Sequence, residues 1–255
     1  MLWLKDLARR LLALTPYRLE RGAPNRFQAI DYTLQHLHEL GYVPRQIIDG
    51  GAHLGWFALL ARQVFPAAAI HMIDPQPACR APLEELAVKR GFGFHPYALS
   101  DRPGSVPMVS GDQPNTGAHL GPAGPSERVV AVEAATLDIL FADKCQAADR
   151  TLLKLDLEGH EMPALHGAAR LLPMVEVILI EVSFFRQDAK PTAPQFIDYL
   201  VKAGFELFDL ATLGGRAQDN RLRMADLVFV RRGSPLLADN AWALGAESAP
   251  TVARP

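Results

Sequence analysis

Apolar positions along the chain recur with two different periods. Over residues 1–45 the spacing is helical. Leu4, Leu7, Leu11 and Leu14 share one face of a segment that Pro16 ends, and Lys5, Asp6, Arg9 and Arg10 interrupt its apolar run. A second stretch, Arg26–Leu40, puts Ile30, Leu34, Leu37 and Leu40 on one face, with Gly41 as its stop and Pro44 beyond. From residue 46 the pattern changes. Short aliphatic runs alternate with helical stretches, as in parallel strands joined by crossover helices.

The runs predicted as strands are Gln46–Asp49, Ala69–Ile73, Phe94–Ala98, Leu152–Leu155 and Val175–Val182. The last has almost no polar interruption, as the centre of a parallel sheet requires. Helices are predicted over Leu54–Val64, Pro82–Arg90, Thr136–Phe141, Glu161–Leu172 and Gln195–Ala203, the last stopped by Gly204. Residues 101–128 are rich in Gly, Pro, Ser and Asp and read as a long loop. Ser105–Val109 and Val129–Glu133 flank it as a weak hairpin, and Phe205–Leu210 with Asp226–Arg231 reads as a closing antiparallel pair. The organisation is therefore a helical extension (1–45), one α/β domain (46–233) and a loosely ordered tail (234–255) rich in Ala, Pro and Ser.

Composition adds limits rather than detail. Apolar residues make up 49% of the 255 and charged residues 21%, enough apolar material for a sizeable core. The formal net charge of -2 provides no global basic field for nucleic acid. Cys79 and Cys145 stand far apart in no paired or metal-ligand spacing, so both read as reduced structural thiols of a cytoplasmic protein. The first helix is too charged for a signal peptide or a membrane span. It packs on the domain or on a second copy in a homo-oligomer, with peripheral contact at a membrane surface as the alternative.

The most informative segment is Ile47-Ile48-Asp49-Gly50-Gly51-Ala52-His53-Leu54-Gly55, a strand that runs into a glycine-rich turn and opens a helix. This is where an open α/β sheet places a ligand. Gly51 permits close approach of backbone to ligand, and Gly55 a tight first helical turn. The Gly-Lys-Ser/Thr of a nucleotide phosphate loop is absent, and Gly50, Gly51 and Gly55 lack the spacing of a dinucleotide fingerprint. Asp49 at the strand end would repel a pyrophosphate by about 1–4 kcal/mol at surface-like dielectric. S-adenosylmethionine carries no phosphate, and its ammonium and sulfonium would be attracted. One βα unit later, Asp74 closes Ile70-His71-Met72-Ile73 where a carboxylate can accept from both ribose hydroxyls.

Together with segments further along the chain, these residues resemble the FkbM family of S-adenosylmethionine-dependent methyltransferases. The resemblance runs from Ile47–Gly55 through Ile73-Asp74-Pro75-Gln76-Pro77, Ala98-Leu99-Ser100-Asp101 and Thr136-Leu137-Asp138. It continues in Leu153-Lys154-Leu155-Asp156-Leu157-Glu158-Gly159-His160-Glu161, Leu165-His166-Gly167-Ala168 and Val177-Ile178-Leu179-Ile180-Glu181. A weaker likeness reaches about residue 232. The family usually has Asn where His53 stands and commonly Glu where Asp74 stands. The resemblance implies a Rossmann-like class I methyltransferase fold, with a seven-stranded, mostly parallel sheet and an antiparallel last strand. It also implies O-methyl transfer to a hydroxyl of a sugar, glycan or related natural product. The residues that match as a cofactor site are Asp49, Gly50, Gly51, Ala52, His53, Gly55, Asp74, Pro75, Ala98, Leu99 and Asp156.

Lys154, Asp156, Glu158 and Glu161 cluster where the fourth strand meets its helix, and strand alternation puts Lys154 and Asp156 on one face. Methylation of an alcohol needs the hydroxyl positioned and its proton removed. Asp156 is the favoured base and His160 the second choice, with Glu158 also a candidate. Lys154 would keep Asp156 ionised. Asp156, Glu158 and Glu181 are also a conceivable oxygen set for Mg²⁺. Glu161 serves equally well as a helix-start acid. The small-molecule or glycan acceptor would be gripped by residues 101–128 and 183–194, including Phe184, Phe185 and Arg186. Two rival readings are a nicotinamide-dependent oxidoreductase and a catalytically silent cofactor-binding module.

Overall fold

The computed structural model describes residues 26–121, 128–185, 190–216 and 218–238. The helix expected over Met1–Leu14 and the end of the tail lie outside them. The first described helix, α1 (Arg26–Glu39), packs Ile30, Leu34 and Leu37 inward. Leu40, expected on the same face, is exposed because the helix ends one residue earlier.

Seven strands form the main sheet: β1 (Gln46–Gly50), β2 (Ala69–Ile73), β3 (Gly93–His95), β8 (Thr151–Leu155), β9 (Val175–Ser183), β10 (Phe205–Gly215) and β11 (Leu222–Arg231). Their order is β10-β11-β9-β8-β1-β2-β3. Pairing is parallel from β3 to β9, and β11 runs antiparallel to both its neighbours. This is the expected seven-stranded sheet with an antiparallel last strand. Because β1 pairs with β2 on one side and β8 on the other, the order reverses at β1. The crevice beyond the carboxyl ends of β1 and β8 is therefore the place for a ligand.

Both faces of the sheet are covered. Ile48, Leu153, Leu155, Ile178 and Ile180 join one core with α5 (Glu161–His166) and α6 (Ala193–Lys202). Ile47, Ile70, Leu152, Val177 and Leu179 join the other with α1, α2 (Trp56–Val64) and α3 (Pro77–Arg90). Alternate residues of one strand serve opposite cores, which is why these strands read as unbroken aliphatic runs. Cys79 and Cys145 are buried and free.

Three sequence expectations are corrected. The strand expected over Phe94–Ala98 is two pieces, because Pro96 cannot donate to a ladder. β3 stays in the main sheet, while β4 (Ala98–Leu99) pairs with β7 (Val129–Ala135). The expected hairpin forms, with β5 (Gly104–Val109) antiparallel to β7, inside a second sheet of order β4-β7-β5-β6 that also holds β6 (His119–Leu120). The helix expected over Glu161–Leu172 stops at His166. Gly167 follows as its C-cap, where a side chain would meet the Ser100 carbonyl at 2.2 Å. The ordered chain also passes Gly233: Pro235–Leu237 forms a short 3-10 turn with Leu236 buried. The remaining short helix is α4 (Leu137–Phe141), capped by Thr136 Oγ1, which accepts from Ile139 N at 3.1 Å.

Candidate functional site

Three residues of the turn after β1 have positive φ: Gly51, His53 and Gly55 at 75°, 49° and 78°. The turn is pinned to the end of β2. Gly51 N and Ala52 N both donate to the Ile73 carbonyl, at 2.9 and 3.0 Å, and His53 N donates to Asp74 Oδ2 at 2.8 Å. The other Asp74 oxygen accepts from Gln76 N at 2.9 Å. On its far side the turn presses on the end of β8. A Cβ at Gly51 would lie 1.9 Å from the Asp156 carbonyl oxygen, and one at Gly55 would meet Leu86 of α3 at 2.3 Å. Gly51 therefore serves the approach of two strand ends, and Gly55 the seating of one helix on another.

Asp49 is corrected. Its side chain is fully buried beneath the turn and faces Lys154, whose Nζ lies 3.1 Å from Oδ1. Burial pushes the Asp49 carboxyl up and Lys154 opposes this. A carboxylate so neutralised does not sort cationic from phosphorylated ligands. The first three amides of the turn are spent on Ile73 and Asp74 and so are not offered to a phosphate.

Lys154 gathers the site. Its ammonium donates to the Gly51 carbonyl at 2.8 Å and stands 3.8 Å from Asp156 Oδ2. Beyond Asp156, the backbone reaches φ 54° at Glu158 and 96° at Gly159. Glu161, buried at the start of α5, closes this turn: its Oε1 accepts from Leu157 N at 2.7 Å and Gly159 N at 3.1 Å. Its acidity marked a helix start in the sequence, but its work is to hold the loop that carries Asp156 and Glu158. His160 Nε2 meets Ser100 Oγ at 3.1 Å, and Ser100 Oγ donates to Asp101 Oδ1 at 3.2 Å. Burial lowers the pKa of His160, with Asp101 opposing.

These elements enclose a cavity of about 450 Å³ at the switch point. Gly51, Ala52, His53, Asp74, Pro75, Ala98, Leu99, Lys154, Asp156, Glu158 and His160 all line it. Asp49, Gly50 and Gly55 do not; they shape the turn from behind. The second sheet contributes Met108 and Leu120, α1 contributes Ile30, and Trp56, Gln76 and Tyr97 complete the walls. Of these last residues only Gln76 stood in a segment that resembles the family; no pattern in the sequence marked Trp56 or Tyr97 as site residues. A second cavity of about 360 Å³ adjoins the first and shares His119, Glu158 and Met224 with it. Glu181 lines the second and Asp156 the first, so the three carboxylates considered for Mg²⁺ do not line one chamber. Among the described residues no group of three His, Cys, Asp or Glu side chains is arranged to hold a metal.

The methyltransferase FkbM domain model matches residues 49–207, which include the turn, Asp74 and the Asp156–Glu161 loop. The chain belongs to the FkbM family of S-adenosylmethionine-dependent methyltransferases.

Among solved structures, this FkbM methyltransferase is similar to magnesium protoporphyrin IX methyltransferase from Synechocystis PCC 6803, solved with bound S-adenosylmethionine. Identity is 13%, the match covers 89% of this chain and 96% of that one, and the TM-score is 0.47. It is also similar to precorrin-6y C5,15-methyltransferase from Geobacter metallireducens GS-15 (11% identity, 82% and 94% covered, TM-score 0.45). A third is mitomycin 7-O-methyltransferase (11% identity, 81% and 52% covered, TM-score 0.40). Among curated proteins none matches the chain.

The cavity of this FkbM domain fits the family's methyl donor on its own evidence. Its size is that of a small-molecule site. Asp74, with one backbone donor on each oxygen, keeps lone pairs for two hydroxyls. His53 Nε2 is buried without a hydrogen-bond partner in the cavity wall, as expected of a group that completes its bonding with a ligand. Among the described residues no helix is long and apolar enough to cross a membrane.

Proposed function

We propose that this FkbM methyltransferase transfers a methyl group to a hydroxyl of a sugar, glycan or related polyhydroxylated acceptor. One observation carries the reading: Asp156 lines the first cavity beside Lys154, and Glu158, two residues on, lines both that cavity and the second, polar one. When bound, S-adenosylmethionine supplies an electrophilic methyl group on a sulfonium. Asp74 would hold the ribose hydroxyls, with Ala98 and Leu99 beside the adenosyl portion.

Asp156 takes the proton of the acceptor hydroxyl on a carboxylate oxygen. The Lys154 ammonium at 3.8 Å favours its ionised form. His160 is the alternative base. Ser100 donates to Asp101, so it accepts from His160 Nε2–H, which leaves the lone pair on Nδ1. The polarity of the second cavity favours a polyhydroxylated acceptor over an apolar one. Isothermal titration with S-adenosylmethionine tests the cofactor half of the reading, and absence of binding at millimolar cofactor would sink it. Formation of S-adenosylhomocysteine with a panel of sugars and glycans tests the acceptor half. Tight cofactor binding without turnover on any hydroxyl acceptor would leave a silent module instead.

A further inference from the structure

The second cavity has an internal charge order that the methyl-transfer reading alone does not require. Its acids are Glu181 on β9, Glu161 at the start of α5 and Glu158 in the loop before it. Glu181 is partly buried at the end of β9, and the buried Glu161 carboxylate is already spent on backbone amides. Its cations are Arg223 and Lys190. Arg223, on β11, is exposed, and Lys190 reaches across to donate to the Glu158 carbonyl at 3.2 Å, which leaves two ammonium protons for another acceptor.

Between them stands Phe185. Its backbone is fixed by Ser183, whose Oγ accepts from Phe185 N at 3.2 Å. Its ring lies under two guanidinium groups, Arg221 at 4.5 Å and Arg216 at 5.5 Å. Of the cations near Phe185, Arg223 and Lys190 line the cavity, while the Arg216 guanidinium is held by Asp219. A neutral acceptor has no use for that arrangement. Guanidinium and ammonium groups recognise an anion, while carboxylates beside them accept from hydroxyls.

We propose that the second cavity is the acceptor site and that its acceptor is a hydroxyl compound bearing an anionic group, carboxylate or phosphate. The anion sits at Arg223 and Lys190, a ring face rests against Phe185, and hydroxyls point toward Glu181 and Glu158. Glu158 belongs to both cavities, so a hydroxyl beside it lies at the passage to Asp156. The role of acceptor rests on the methyl-transfer reading, but the anion preference is a binding property that turnover does not enter.

The experiment titrates full-length protein, saturated with S-adenosylhomocysteine, with methyl glucuronoside, glucose 6-phosphate and methyl glucoside. At least one anionic probe should bind about tenfold or more tighter than the neutral glycoside, with the preference shrinking as salt is raised. A preference for the uronide assigns a carboxylate acceptor, and one for the phosphate a phosphorylated acceptor. Arg223→Gln should erase the preference without changing affinity for S-adenosylhomocysteine. Arg223→Glu should turn it toward methyl glucosaminide. Equal affinity for charged and neutral probes, no measurable binding of either anion, or a preference that survives Arg223→Gln overturns the proposal. Failure of the wild-type protein to bind S-adenosylhomocysteine would instead overturn the methyl-transfer reading. The probes would then be titrated alone to decide the anion preference.

Discussion

Lys154 Nζ lies 3.1 Å from Asp49 Oδ1, and neither side chain is more than one-tenth exposed. The pair joins the centre of the sheet to its catalytic edge, since the same ammonium also holds the Gly51 carbonyl and faces Asp156. Removing the lysine leaves Asp49 as a buried charge with its partner gone. Lys154→Met should therefore cost about 3–5 kcal/mol of stability. The double variant Asp49→Asn/Lys154→Met should recover most of it. Denaturant unfolding of the three proteins decides the matter; a single variant as stable as the parent would refute the coupling.

Asp156 is the expected proton acceptor. Asp156→Asn should lower kcat by about 10²–10⁴-fold while S-adenosylhomocysteine still binds. If kcat stays near wild type and His160→Asn abolishes turnover, the base is His160. Steady-state rates paired with isothermal titration separate the two.

The buried Asp74 carboxyl is pushed up to about 6 by desolvation, with the Gln76 and His53 amides opposing. Its ionised form accepts more strongly from hydroxyls, so cofactor affinity should fall as pH drops through about 6. The loss should be about tenfold, the scale of one charge-assisted hydrogen bond. Asp74→Asn should bind weakly at all pH values, without that inflection. An Asn variant that keeps the wild-type pH profile would remove Asp74 from the cofactor's contacts.

His71 Nδ1 and His95 Nε2 stand 3.3 Å apart against Phe141. Burial lowers both, His95 to about 4, with the neighbouring imidazole and Lys144 adding to the effect on His95. The unfolded chain therefore binds protons first. Stability from this pair is complete above about pH 6.5 and is lost as pH falls toward 4. Thermal unfolding should show Tm dropping across that window, and His95→Phe should flatten the drop. An unchanged slope in the variant would assign the acid sensitivity to other groups.

Glu161 supports the loop by accepting two amides. Glu161→Ala would leave Leu157 N and Gly159 N without their acceptor and should cost about 1–3 kcal/mol. Glu161→Gln, which keeps one acceptor oxygen, should lose less in both stability and kcat. Equal losses in the two variants would mean that the charge matters, not the hydrogen bonds.

Most of the sheet was legible from the sequence because its signal is local. Runs such as Val175–Val182 must bury both faces, and the glycine turn after Ile48 marks a strand end by itself. Asp74, Lys154 and Asp156 were legible for the same reason, as strand-end residues whose face follows from alternation. What escaped was non-local. The hairpin of the second sheet was foreseen, but Ala98–Leu99 joins it by pairing with Ala134–Ala135 across a long separation. The Ser100 carbonyl leaves no room for a side chain at Gly167, which no spacing rule reveals.

By itself, then, the sequence determined the alternation of strands and helices, the family pattern and the set of polar residues at the carboxyl edge. Only the tertiary structure decided which of them touch one another. Asp49 looked like a ligand for a cation and proved to be the buried partner of Lys154. The physical reason is that a residue's charge is written in the chain, but its partner and its solvent depend on which strand the fold lays beside it.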